Sequence, residues 1–142
     1  MDPFDFIDFS EHLMEHKNEI PSNLLESMYR TGISRVYYGI LHWVQMQYKI
    51  SIPKAELTRY HSWIVKELKN IADDEVLLEF NFLRDARIDA DYELRKIIDE
   101  RLIQQCMESK NRLIKAIKEQ PRISLQDDDD RFFRAFRRKD KS

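Results

Sequence analysis

The chain has 142 residues, a formal net charge of -2 at pH 7 and a single cysteine, Cys106. This length suits one domain, and a lone cysteine excludes both an internal disulfide and a metal site built on paired cysteines. The net charge gives no overall attraction to nucleic acid, so nucleic-acid binding would need a local basic surface.

The composition favours an all-α fold. Only two glycines and four prolines occur, while 35% of residues are charged and 42% are hydrophobic, a balance that suits amphipathic helices rather than tight β-turns. No uninterrupted apolar run reaches the length of a membrane span, and the N-terminus is acidic rather than basic. We therefore expect no membrane segment and a cytoplasmic location.

The apolar spacing predicts five helices, which the prolines help to delimit. Asp2 and Pro3 open the first helix, over 4–18, and Ser22 opens a long second helix, over 22–48. A third helix is predicted over 54–70 and a fourth over 73–92. A fifth reaches Lys118 from about Leu94, either continuous with the fourth or broken near Tyr92. The predicted architecture is an antiparallel bundle of four to five helices over residues 1–120.

Two glycines, Gly32 and Gly39, lie seven residues apart on one face of the second helix. Such positions suit either a close approach by a ligand or a close contact with a neighbouring helix. We favour the helix contact.

The tail, residues 121–142, has a different character. Four aspartates, 127–130, precede a basic segment with three phenylalanines, whose arginines are Arg131, Arg134, Arg137 and Arg138. Acids at the start and cations towards the end of a helix suit its macrodipole, so a short amphipathic helix is predicted. Two hypotheses stand for it: docking on the bundle or on a dimer mate, or contact with RNA or a partner protein.

Two polar rows lie on faces that the apolar stripes leave free. Arg35, Tyr38 and His42 share a face of the second helix, and Arg84, Arg87 and Asp91 share a face of the fourth. Alternatively, Arg87 and Asp91 form only a helix ion pair, which at a surface contributes a few tenths of a kcal/mol.

Residues in and around these two rows resemble the motifs of a known domain family. A Ser-Arg-x-Tyr-Tyr run, a later helix-borne histidine and a Leu-x-x-x-Arg-x-x-Ala-Asp-Tyr run resemble HEPN domains, the higher eukaryote and prokaryote nucleotide-binding family, closest to its small stand-alone prokaryotic branch. The resemblance covers roughly residues 20–118, and its matching residues are Arg35, Tyr37, Tyr38, His61, Leu83, Arg87, Ala90, Asp91 and Tyr92.

The resemblance implies RNA binding. Catalytic members of the family carry an arginine, four to six residues and then a histidine, and they act as metal-independent ribonucleases in a cleft between two subunits. Arg35 and His42 match that spacing literally, but about one such match is expected by chance from the arginine and histidine content. In the catalytic branch the motif lies on a later helix, where this chain has Arg87 and Asp91 and no histidine.

Candidate roles follow from this resemblance. Phosphate or nucleic acid would be bound by Arg35, Arg84, Arg87, Tyr38 and Tyr92, and the candidate catalytic set is Arg87, Asp91, His42 and His61. The resemblance implies a homodimer. It also implies the toxin of a toxin–antitoxin pair, in which the antitoxin resembles a minimal nucleotidyltransferase. Tyr92, or the Tyr37 and Tyr38 pair, would offer a hydroxyl that such a partner modifies. The alternative hypothesis is a non-catalytic module that binds a nucleotide or a partner.

No metal or cofactor is predicted. His12 and His16 have a spacing that suits a metal, with Glu11 and Glu15 beside them, but two histidines without a third ligand in register are weak evidence. No glycine-rich phosphate loop, nucleophile elbow or Cys/His nucleophile pair occurs.

Overall fold

The computed structural model describes residues 1–120, which form five α-helices. They are α1 (Phe4–Glu15), α2 (Leu25–Gln47), α3 (Tyr60–Ile71), α4 (Asp74–Tyr92) and α5 (Glu100–Lys118), with short 3-10 turns at Lys17–Glu19, Ser22–Leu24 and Lys54–Arg59. No strand occurs between residues 1 and 120. The prediction of an all-helical bundle is confirmed. The predicted tail, 121–142, lies outside the described residues.

Three helix starts differ from the sequence prediction. The Ser22 side chain makes no cap, and a 3-10 turn precedes α2. The 54–59 segment is 3-10, so α3 begins at Tyr60 rather than near Lys54. The fifth helix begins at Glu100 rather than near Leu94, after Asp99 accepts a hydrogen bond from the Leu102 backbone N–H. The cap predicted at Asp2 is present, since its carboxylate accepts from the Phe4 N–H at 2.9 Å.

The central element is α2, which packs against α1, α4 and α5. Its apolar stripe provides much of the core, including Ile33, Val36, Ile40 and Val44, all at most 1% exposed. Burying side chains of this size contributes about 1.5–3 kcal/mol each before the entropy cost of ordering the chain.

Contacts along α2 give the helix directions. Tyr38 contacts Arg87 and Ser34 contacts Asp91, so α4 runs antiparallel to α2. At opposite ends of α2, Tyr29 donates to Glu100 and Tyr48 donates to Gln120, so α5 runs parallel to α2. Because α4 is antiparallel to α2, it is also antiparallel to α5.

The two glycines allow α1 and α5 to approach α2. A Cβ at Gly39 would lie 2.9 Å from the Pro3 carbonyl oxygen and 2.8 Å from Ile7, while a Cβ at Gly32 would meet the tip of Ile103. Both positions are therefore helix contacts, as favoured from the sequence. Ser10 on α1 uses the same proximity to donate a 2.7 Å hydrogen bond to the Gly32 carbonyl.

The C-terminal end of α4 is held by Arg30 of α2. Its guanidinium, which is 13% exposed, donates to the carbonyls of Asp89, Ala90, Glu93 and Lys96 and to the Glu26 carboxylate. The carbonyls at the end of a helix have no partner within the helix, so one planar donor from α2 satisfies several of them. This explains why α4 stops at Tyr92 and the chain turns before α5.

A polar contact is buried between α4 and α5. The Glu79 carboxylate accepts hydrogen bonds from Ser109 Oγ at 2.8 Å and from Arg112 Nε at 2.8 Å. Glu79 is only 8% exposed. Burial alone would raise its pKa, but the hydrogen bonds from Arg112 and Ser109 outweigh burial and lower the pKa below its usual value.

Among residues 1–120, no helix combines the length and apolar character needed to cross a membrane.

Candidate functional site

The two polar rows predicted on α2 and α4 face each other. Arg87 donates a hydrogen bond from Nη2 to the Tyr38 hydroxyl at 2.8 Å, and its Nε lies 3.0 Å from Asp91 Oδ2. Ser34 Oγ donates to the same Asp91 oxygen at 3.3 Å. The Arg87 side chain is only 12% exposed. The Arg87–Asp91 pair is therefore tied into the interface between α2 and α4, and is more than a surface helix pair.

Arg35 and Arg87 meet on one aromatic ring. The Arg35 guanidinium carbon lies 4.9 Å from the Tyr38 ring centroid, and that of Arg87 lies 5.3 Å from it. Arg87 also lies 5.4 Å from the Tyr37 ring and 5.3 Å from the Tyr92 ring. Aromatic faces attract cations, so the tyrosines hold two positive groups close together.

A basic groove opens beside Arg87, between α3 and α4. It encloses about 390 Å³, and its polar and charged lining residues are Tyr37, His61, Ser62, Lys66, Lys69, Arg84 and Arg87, with Val65 and Ile88 as apolar walls. Within residues 1–120, no Asp or Glu is among the groove's lining residues. Four cationic side chains without an acid are expected to attract an anion.

Two arginine nitrogens at this groove lack a hydrogen-bond acceptor. Within the described residues, Arg84 Nε and Arg87 Nε are both buried without a hydrogen-bond partner. The Arg87 Nε is near Asp91, but its N–H is not directed at that oxygen, and Arg84 Nε lies 4.0 Å from the exposed Asp85. Leaving a buried charged donor unpaired is costly, so the geometry suits an external acceptor.

His61 lies at the groove as well. Its Nδ1 shares a 3.3 Å hydrogen bond with the Tyr37 hydroxyl, and its ring stacks on Tyr37 with centroids 5.8 Å apart. Burial, followed by the charges of Arg87 and His42, lowers the pKa of His61. The imidazole is therefore neutral at pH 7, and it is the histidine that the resemblance matched.

His42 does not line the groove. It stacks on Phe6 of α1 at 5.7 Å, and its Nδ1 shares a 2.8 Å hydrogen bond with the Tyr60 hydroxyl, which also donates to Gln45. Burial lowers the pKa of His42. This histidine belongs to an aromatic cluster that joins α1, α2 and α3.

The structure groups the predicted residues as follows. Arg84, Arg87 and His61 line the groove, and Arg35, Tyr38, Asp91 and Tyr92 adjoin it through Arg87. The predicted tail arginines, Arg131, Arg134, Arg137 and Arg138, lie outside the described residues.

Sequence reasoning missed Lys66 and Lys69. They follow His61 and Ser62 at helical spacings on one face of α3, and this spacing was a signal that could have found them. Tyr60 and Phe6 were also missed as neighbours of the site, and Ser34, the first residue of the Ser-Arg-x-Tyr-Tyr run, was given no role, because these roles depend on which helices pack together.

The histidine pair near the end of α1 gains a third group. One ligand atom from each of His12, Glu15 and His16 lies within 4.8 Å of the others, and all three residues are exposed. His16 Nδ1 lies 3.0 Å from the His12 carbonyl oxygen, and its Nε2 lies 3.8 Å from Glu19 Oε2. These residue types suit a transition metal, but they lie at the C-terminal end of α1, apart from the lining of the basic groove.

Comparisons with known proteins do not assign this chain to a family: no protein-family model, no curated protein and no solved structure matches it.

Proposed function

We propose that the protein is a HEPN-like RNA-binding protein that takes an RNA phosphate in the basic groove. The supporting observation is the groove itself: among the described residues, Lys66, Lys69, Arg84 and Arg87 converge without a lining carboxylate, and two arginine Nε atoms have no hydrogen-bond partner. Phosphate oxygens are strong acceptors that arginine binds in a planar, directional way.

Arg87 is suited to a fixed phosphate contact. Burial alone would lower its pKa, but the hydrogen bond to Tyr38 and the nearby acidic groups outweigh burial and raise it, so the guanidinium stays charged. Its contacts with Tyr38 and Asp91 also fix its position before any ligand arrives. A preorganised donor binds with a smaller loss of side-chain entropy.

A ribonuclease activity in this groove would be metal-independent. In such a reaction the 2′-oxygen attacks the adjacent phosphorus, the bond to the 5′-oxygen breaks, and a 2′,3′-cyclic phosphate forms. The 2′-hydroxyl loses its proton to a base, and the 5′-oxygen gains one from an acid. His61 is the proposed proton carrier because it is neutral at pH 7 and lines the groove, while Arg87 neutralises the phosphate.

The second candidate function is a non-catalytic module that binds a nucleotide or partner. One observation favours it: within residues 1–120, His61 is the only histidine among the groove's lining residues, so no second imidazole supplies a proton carrier there. Asp91, at the position where catalytic members of the HEPN family have a histidine, is engaged by Arg87 and Ser34.

The proposal includes a cytoplasmic homodimer that acts as a toxin with a nucleotidyltransferase-type antitoxin. Tyr92 is the hydroxyl that such a partner would reach, since it is 65% exposed and lies beside Arg87. Tyr37 is fully buried and does not present its hydroxyl to a partner.

The decisive experiment measures binding and cleavage of a single-stranded RNA in EDTA. Lys66 and Lys69 are exposed, so Lys66→Ala/Lys69→Ala should fold normally and lose affinity, whereas Lys54→Ala, an exposed lysine outside the groove lining, should not. Cleavage by the wild type that is lost in His61→Gln supports the ribonuclease. Binding without cleavage supports the non-catalytic module. Equal affinity of the Lys66→Ala/Lys69→Ala and Lys54→Ala variants would contradict the proposed groove.

A further inference from the structure

A second groove, between α1 and α5, has the opposite charge to the first. This acidic groove encloses about 560 Å³, with Met14, Met107 and Ile103 as its apolar lining and Glu11, Glu15, Gln104 and Glu108 as its polar lining. In the part of the chain that the structure describes, no Lys, Arg or His is among its lining residues. Glu15 and Glu108 are exposed and Glu11 is paired with Lys110 at 3.5 Å, so two carboxylates remain facing outwards.

We propose that residues 131–139 of the same chain dock in the acidic groove. This segment reads Arg-Phe-Phe-Arg-Ala-Phe-Arg-Arg-Lys, so it carries five cations, three phenylalanines and no acid. Its apolar side chains match the Met-lined floor, and its cations match the glutamate rim. Methionine side chains are flexible and polarisable, which suits them to an aromatic partner.

The charge match extends beyond the groove. Over residues 1–16 the chain has five acids and no Lys or Arg, and four of these acids lie on α1. The last turn of α5 carries Lys115 and Lys118, and the tail places the aspartates 127–130 before its basic segment. A tail that returns along α5 would therefore bring acids beside the basic end of α5 and then cations beside α1.

The length of the tail permits this path. Met107 lies 13 residues before Gln120, a distance of about 20 Å along a helix. Ten residues, 121–130, separate Gln120 from Arg131, and an extended chain of this length spans up to about 33 Å. The basic segment can reach the groove of its own molecule without displacing α5.

Methionine methyl groups give a direct readout in the full-length protein. The chain has five methionines, of which Met14 and Met107 line the groove, while Met46 lies near the far end of α2. A nitroxide can be attached through Ser142→Cys, because the native Cys106 is buried and burial raises its pKa to about 12. We expect the Met14 and Met107 methyl signals to lose at least threefold more intensity than the Met46 signal.

Charge reversal separates docking from chance proximity. Glu15→Lys/Glu108→Lys should abolish the difference in intensity loss between the groove methyls (Met14 and Met107) and the reference methyl (Met46). Adding Arg134→Glu/Arg138→Glu should restore this difference. Glu67→Lys on α3 is the matched control and should leave the difference unchanged. Phe133→Ser/Phe136→Ser should also abolish it. Equal broadening of all methyls in the spin-labelled wild-type background would overturn the proposal.

Isotope mixing identifies the occupant. When spin-labelled protein without the methyl isotope is mixed with methyl-labelled protein without the nitroxide, docking within one molecule predicts no broadening. Broadening of Met14 and Met107 in this mixture would show a second copy in the groove and would overturn docking within the same chain. RNA binding is not required for either result, so this test is independent of the basic groove.

Discussion

Arg87 donates a 2.8 Å hydrogen bond from α4 to the Tyr38 hydroxyl on α2, and the same tyrosine ring holds Arg35. The contact links the fold to the candidate site, because it orients a groove-lining arginine and also joins two core helices.

Removing the Tyr38 hydroxyl should therefore lower stability. A hydrogen bond with one charged partner contributes about 1.5–3 kcal/mol, so Tyr38→Phe should reduce the free energy of unfolding by about that amount. Tyr92→Phe is the control, since Tyr92 is 65% exposed. Urea denaturation of both variants measures the difference, and equal stability of the two would show that the Tyr38 hydrogen bond contributes nothing.

The salt dependence of the proposed RNA binding should depend on Lys66 and Lys69, the lysines of the basic groove. Each phosphate contact to single-stranded nucleic acid contributes a slope of about -0.7 to log K against log salt, so Lys66→Ala/Lys69→Ala should reduce the steepness by about 1.4. Fluorescence anisotropy at several salt concentrations measures this slope. Lys54→Ala should retain the wild-type slope, and an identical loss in that variant would point to a general charge effect.

Lower pH should strengthen the proposed RNA binding through protonation of His61. The pKa of His61 is lowered from its usual 6.5 by burial, Arg87 and His42, so acidification below that value adds a positive charge to the groove. If RNA raises the pKa of His61 by about one unit, the protonated protein binds the RNA about tenfold more tightly than the neutral protein does. His61→Gln should show a weaker pH dependence for the same RNA. NMR should find a higher His61 pKa in the complex; an unchanged pKa would place the phosphate elsewhere.

His42 and His61 should make the fold less stable in mild acid. His42 and His61 have lowered pKa values, so as pH falls below 6.5 the unfolded chain binds protons before the folded chain does. Their stabilising contribution is complete above pH 6.5 and declines below it. The stability difference between wild type and His42→Gln/His61→Gln, measured by denaturation at several pH values, should therefore stay constant above pH 6.5, and wild type should lose stability relative to the variant as pH falls below it. A difference that stays the same below pH 6.5 would rule out this coupling.

The Glu79 carboxylate should affect the stability of the fold in a more acidic pH range than the histidines do. Its lowered pKa means that its contribution is present above about pH 4.5 and is lost as pH falls through the folded value. Glu79→Gln should be less stable than wild type by about 1–3 kcal/mol at neutral pH, because the charged hydrogen bond to Arg112 is lost. The gap should narrow at low pH, as followed by thermal unfolding; a constant gap would mean that the glutamate charge plays no part.

The sequence predicted the helices well because their apolar spacing is regular. It also placed Arg35, Tyr38, Arg87 and Asp91 on faces that the structure brings together, since helix periodicity alone aligns residues three and four apart. Helix pairing is not visible in such a pattern. Lys66 and Lys69 become part of a groove only because α3 lies beside α4, and His42 leaves the groove only because Phe6 and Tyr60 surround it.

The start of the fifth helix shows the same limit. The apolar pattern continues from Leu94, yet α5 begins only after Asp99, whose side chain accepts from the Leu102 N–H, and Arg30 of α2 binds the carbonyls of Glu93 and Lys96 in the turn before it. Asp99 is a local cap signal that was missed, whereas the contacts from Arg30, more than sixty residues away, are not visible in a local pattern.

The grip of Arg30 on the end of α4 has a consequence for inherited variation. Lysine keeps the charge but lacks the planar fork that reaches several carbonyls at once, so an Arg30→Lys allele would loosen the segment that carries Asp91 and Tyr92. The proposed RNA binding would then be weakened by a change at a residue that does not line the basic groove. Genetic screens for defective alleles should therefore recover position 30 together with the lining of the groove.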